Sequence, residues 1–164
     1  MKSLCESTEV PALCMQCLES DPRSEKATNK SQIPLIIVNY LRKNSQEAKS
    51  NFTKVAKIIP SRDKELKAAV EICIEKYRSV IDHISTAYIH LKKREYDQAT
   101  DALSSAIYFY EQTCSQGIQQ FKEVFPNLWI FYGMRALEDL SEAAMRIIDR
   151  GMTHCILTHR DLCS

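Results

Sequence analysis

The chain reads as an all-α protein: an up-down-up-down four-helix bundle, disulfide-stapled, with an N-terminal helical hairpin extension. Three observations carry this reading. Apolar residues recur at alternating spacings of four and three over long stretches. Only three glycines and five prolines punctuate 164 residues, and the prolines fall near the joints. Two cysteines, Cys73 and Cys114, stand at nearly equal distances from one polar break. The expected division is a hairpin over 1–24 within the same domain, a bundle over 25–151 and a tail over 152–164.

In chain order, Cys5 and Cys14 come first, nine apart around Pro11. A short helix can run from Pro11 to Glu19, ended by Ser20-Asp21-Pro22. So small a segment has little apolar surface, and a Cys5–Cys14 bridge would contribute roughly 2.7 kcal/mol by chain entropy. The first long helix is expected from Thr28 to Ile59, with Pro34 tolerated near its start. Its stripe is Ile33, Ile37, Tyr40, Ala48, Phe52, Val55 and Ile59, and Asn44 is a polar intruder read as a solvated edge position.

The stretch 63–92 organises the rest. Leu66, Val70, Cys73, Tyr77, Val80, Ile84, Ala87 and Leu91 place eight apolar residues on one helical seam. Such a helix is about 45 Å long, and Ser61 and Asp63 can cap its start after Pro60. A third helix, 96–121, follows the break at Lys93-Arg94-Glu95, with Ala99, Leu103, Ala106 and Tyr110 as its stripe. If the two helices fold back antiparallel about Arg94, Cys73 lies 21 residues before the turn and Cys114 lies 20 after it. Both sulfurs then stand about 30 Å above the turn, as a disulfide with its Cα limit of about 7 Å requires. The bridge would be worth roughly 4 kcal/mol; the alternative is two unrelated buried thiols.

The last core helix is expected from near Leu128, carrying Ile130, Met134, Leu137, Leu140, Ala144 and Ile147, with Gly151 as its stop. In the tail, Cys155, His159 and Cys163 are spaced by four, with His154 beside them. On a helix that spacing aligns potential metal ligands, a weak alternative to no metal at all. A Cys155–Cys163 bridge, or one from Cys17 to the tail, also stays open; a free, buried Cys17 is the default.

Net charge is +1, from 22 basic and 21 acidic residues, so nothing steers the chain to nucleic acid or a membrane surface. The run Lys92-Lys93-Arg94 closes a helix and complements its dipole. No apolar run reaches 18 residues, so no membrane span is expected. Met1-Lys2-Ser3-Leu4 leads directly to Cys5 without a leader. Either a leader has been removed, or the protein is intracellular with reduced thiols. The sequons at Asn29 and Asn51 are compatible with export. No phosphate loop, HExxH pair or di-iron pattern is present, and no nucleophile has an identifiable base. His83 and His90 are read as members of a solvated face. The expectation is a rigid binding scaffold, not an enzyme, with no cofactor.

Cys5-x-x-Thr8-x-x-Pro11-x-x-Cys14, followed by Leu18-x-x-Asp21-Pro22-Arg23-Ser24, resembles the N-terminal signature of the plant invertase and pectin methylesterase inhibitor family. Cys73 with Tyr77, Tyr96-Asp97-x-Ala99, and Ala102-Leu103-Ser104 leading to Thr113-Cys114 are similar to that family's middle, so the likeness covers about residues 4–150. The resemblance implies pairing of the first cysteine with the second and the third with the fourth. It also implies a protein secreted to the apoplast or cell wall, or to the vacuole, where it forms a reversible one-to-one complex with a pectin methylesterase or an acid invertase. Steric occlusion of the cleft would inhibit the enzyme, and the inhibitor is expected to be a monomer. Invertase inhibitors of the family can carry Pro-Lys-Phe where this chain has Arg94-Glu95-Tyr96; its proline and lysine are absent, which weakens that reading. Thr113 matches a contact position of the pectin methylesterase inhibitors and favours them. Tyr108-Phe109-Tyr110-Glu111-Gln112 departs from the family's small residues, and some of these aromatics are expected to face out. The candidate contacts are therefore Thr113, Glu111, Tyr110 and Gln116, with Arg94, Glu95 and Tyr96 at the turn.

Overall fold

The computed structural model describes residues 5–24, 32–110, 114, 116–121 and 135–158, with the backbone alone at 135–136 and 151–158. Among the described residues the helices are, in order, α1 Pro11–Glu19, α2 Gln32–Ile58, α3 Lys64–Lys93, α4 Tyr96–Phe109, α5 Gln116–Gln119 and α6 Arg135–Thr158. The four long ones form a closed ring of neighbours, α2 on α3, α3 on α4, α4 on α6 and α6 on α2. The short α1 lies on α2 and α6, and α5 lies on α3. This is the expected four-helix bundle.

The α3 seam is the spine of the core. All eight of its predicted residues are buried. Phe52 of α2 packs on Tyr77 with ring centroids 5.4 Å apart, and Tyr77 meets Tyr110 edge-on at 5.9 Å. Asp63 occupies the N-cap position of α3 without a side-chain cap bond. The backbone bond from Lys67 N to Asp63 O, 3.1 Å, opens the helix instead, so the expected Ser61/Asp63 side-chain cap is not what starts it.

At the other end of α3, Arg94 takes φ 62°, ψ 26°, the only positive φ of a non-glycine residue among the described residues. Arg94 N donates to Leu91 O at 3.1 Å and Glu95 N to His90 O at 2.9 Å. That pair of bonds is a Schellman closure with arginine where glycine is usual. The α3–α4 turn thus forms at the predicted residue.

Four expectations change. The α2 stripe is wider than predicted, because α1, α3 and α6 all press on this helix: Pro34, Ile36, Val38 and Leu41 are buried as well. Asn44 is half-buried, and the buried polar residues of α2 are Asn39 and Ser45. The third helix does not run evenly to 121. It is regular to Phe109, and Tyr110 and Cys114 lie in π-helical turns before α5. A π turn admits an extra residue per turn, which a search for a 3.6-residue period does not see. Gly151 does not stop α6, which continues to Thr158. A glycine inside a helix costs about 1 kcal/mol, a cost a long helix absorbs. The predicted helix starts at Thr28 and near Leu128, with Ile130 and Met134, lie outside the described residues.

Candidate functional site

Both staples are present. Cys5 and Cys14 are bonded with Cα atoms 5.5 Å apart, and Cys73 and Cys114 with Cα atoms 4.7 Å apart. Cys17 is free and fully buried, and burial pushes its thiol up to about 12, so it is unreactive in the folded chain.

The motif residues behind the family resemblance are structural. Buried Thr8 donates its hydroxyl to Cys5 O at 2.7 Å, which closes the loop inside the first disulfide. Asp21 Oδ1 accepts from the Arg23 backbone at 3.0 Å, and both Asp21 oxygens accept from the Arg23 guanidinium. Ser24 returns its backbone N–H and its hydroxyl to Asp21 O at 2.9 and 2.7 Å. Hydrogen bonding from Arg23 lowers the Asp21 carboxyl to about 2. Glu9 pairs with Arg146 and fastens the hairpin to α6. The bonds of Thr8, Asp21, Arg23 and Ser24 shape the N-terminal segment itself, and the Glu9–Arg146 pair ties it to α6.

The candidate contacts fall into two groups separated by α4, whose 14 residues span roughly 21 Å. At the turn, Arg94 is exposed, Glu95 is half-buried and Tyr96 packs partly against the core. Nδ1 of His90 lies 2.6 Å from Glu95 Oε2, so His90 braces the turn and is not simply part of a solvated face. At the far end, Gln116 is exposed at the start of α5. Tyr110 is only 2% exposed and fills the core beside Tyr77; it belongs to the packing, as its place in the α4 stripe already implied. Glu111 and Thr113 lie outside the described residues.

The expectation that some of the aromatics at 108–110 face out is met at Tyr108, beside the far group at the end of α4. Tyr108 is 60% exposed and meets Phe109 edge-on at 5.8 Å. Phe109 stacks on His83 at 5.1 Å and 17°, with Lys76 Nζ 5.7 Å from its centroid. Ile72, one residue before the stapled Cys73, is 45% exposed. Tyr108 and Ile72 are thus held out to solvent, one on each of two neighbouring helices, with Phe109 half-buried between Tyr108 and His83. His83 and Lys76 are seven apart on α3 and share a face, so the spacing held a signal; their meeting with Phe109 depends on the α3–α4 crossing, which spacing does not report.

Of the remaining candidates, Asn51 sits inside α2, its Oδ1 3.4 Å from Lys54 Nζ, and Thr53 Oγ1 donates to Lys49 O at 2.8 Å. Asn29, His159 and Cys163 lie outside the described residues, as do the side chains of His154 and Cys155. Among the described residues, no helix is long and apolar enough to cross a membrane.

Fold and staples together define a class: an all-helical bundle with one disulfide inside its N-terminal hairpin and another across two bundle helices. The model of the plant invertase/pectin methylesterase inhibitor family matches residues 1–147, and the chain belongs to that family. It is 29% identical over 121 residues to a pectinesterase inhibitor of Actinidia deliciosa. That match takes in 73% of this chain and 62% of the relative's length. Two solved structures share the fold, at 17% identity each. One is a mutant form of a pectin methylesterase inhibitor from Arabidopsis, with TM-score 0.72 over 90% of this chain and 93% of that one. The other is a pectin methylesterase inhibitor from Arabidopsis thaliana, with TM-score 0.66 over 91% and 93%.

Proposed function

We propose that this chain inhibits a pectin methylesterase by lying across its substrate cleft in a reversible one-to-one complex, acting as a secreted monomer in the cell wall. Family membership and the pectinesterase inhibitor among its relatives support the target class. The observation that carries the mode of action is the aromatic strip of exposed Tyr108 on half-buried Phe109, which packs on His83 and Lys76, with exposed Ile72 on the same helix as the latter two. Aromatic groups fixed on stapled helices lose little conformational entropy on docking, which favours them as anchors. Thr113, Glu111 and Gln116 extend the contact beyond the strip, and Arg94, Glu95 and Tyr96, roughly 21 Å away at the other end of α4, form a second patch. The chain contributes no chemistry; it excludes the polysaccharide from the cleft.

Titration of the oxidised protein into pectin methylesterase and, separately, acid invertase at mildly acidic pH tests this. The expected result is loss of esterase activity at equal stoichiometry with invertase untouched, and a Tyr108→Ala variant that inhibits about tenfold less tightly. Inhibition of invertase alone would move the target to the other branch of the family. Loss of neither activity would leave a non-inhibitory interaction protein.

A further inference from the structure

The opposite flank of α3 gathers positive charge around one ring. Tyr88 is half-buried between α3 and α2. The Arg42 guanidinium lies 5.4 Å from its centroid, and Lys92 Nζ lies 5.1 Å from it. Arg42 also donates to Asn39 Oδ1 at 3.0 Å, which fixes the direction of its fork. Arg23 of the neighbouring hairpin is held by the Asp21 carboxylate. Two cations from two neighbouring helices, Arg42 and Lys92, therefore converge on one ring.

An aromatic ring positions cations without neutralising them, because its quadrupole carries no net charge. Arg42 and Lys92 are thus ordered by Tyr88, yet their charges remain available to a ligand. In a chain of net charge +1 this is a local accumulation rather than a general basicity. An oriented guanidinium beside an ammonium suits carboxylates carried at intervals along a chain.

We propose that the pair of Arg42 and Lys92 around Tyr88 binds an acidic oligosaccharide, a run of de-esterified galacturonate. The choice of this polyanion rests on the esterase reading, since a pectin methylesterase leaves free carboxylates on its polymer. The site lies on the α2 side of α3, whereas the aromatic strip lies on the α4 side, so the inhibitor can hold product polymer while its other flank is docked. It would thereby be retained where de-esterification is under way.

Calorimetric titration of the inhibitor alone, without esterase, with a galacturonate oligomer and its fully methyl-esterified counterpart is the test. The acidic oligomer is expected to bind, more weakly as salt rises, and the ester not to bind. Arg42→Gln with Lys92→Gln should weaken binding about tenfold or more, while Lys57→Gln, at the far end of α2, should leave it unchanged, with thermal melts confirming folding. No binding at low salt, equal binding of the ester, an unaffected double variant, or equally tight binding of a polyphosphate would each overturn the proposal. Inhibition assays on the same variants separate the two ideas: oligomer binding without esterase inhibition overturns only the esterase reading, and inhibition without oligomer binding overturns only this one.

Discussion

At Asp21 the carboxylate accepts from the backbone and guanidinium of Arg23, while the residue's main-chain carbonyl accepts from Ser24. Its folded value of about 2 lies below the ordinary 3.8, with Arg23 as the main cause. A carboxylate depressed by folding stabilises the fold above its unfolded value, and that contribution is lost as pH falls through the folded value. Asp21 should therefore contribute fully at mildly acidic pH and lose its effect between about pH 4 and pH 2. Denaturant titrations across that range should show Asp21→Asn less stable at pH 6 by about 1 kcal/mol, the upper end for an ion pair whose arginine is half-exposed. The gap to wild type should close by about pH 2. A constant gap would mean that the turn needs the aspartate's shape and not its charge.

Among the elements, the α3–α4 pair depends most on its covalent bond. Cys114 lies in a π-helical turn, outside the regular part of α4, so helix packing alone does not hold it against α3. Replacing Cys73 and Cys114 together by serine should cost about 4 kcal/mol in the chain-entropy account, read as a lower denaturant midpoint. Loss of only a few tenths would place the hold in the Tyr77–Tyr110 contact instead. The bounds of α1, the α3 seam and the turn at Arg94 were legible in the sequence because each rests on local rules: proline placement, a sustained four-three spacing, a polar break. The breadth of the α2 stripe was not, since it follows from three neighbours converging on one helix. The end of α6 was misjudged because a glycine marks a stop only when the chain takes up its left-handed freedom, and no described glycine has a positive φ.

For the molecule as a whole, the staples and the signature turn were legible while the surfaces were not. Tyr108 and Phe109 were visible as a departure from pattern, yet the partners of Phe109, His83 and Lys76, come from another helix. Likewise Lys92 read as a helix-end cation, and its place beside Arg42 on Tyr88 appears only once α2 and α3 are crossed. The Cys73–Cys114 bond has a further consequence. With the hydrogen-bonded turn at Arg94 at the opposite end, it makes α3 and α4 a closed covalent loop that can stay intact while α1 or α6 peels away. That loop should behave as the slowest-opening foldon, its α3 amides the last to take up deuterium in native-state exchange. The helix pair carrying the aromatic strip would then outlast partial unfolding of the rest, and a nicked or thermally loosened chain should keep that surface in place.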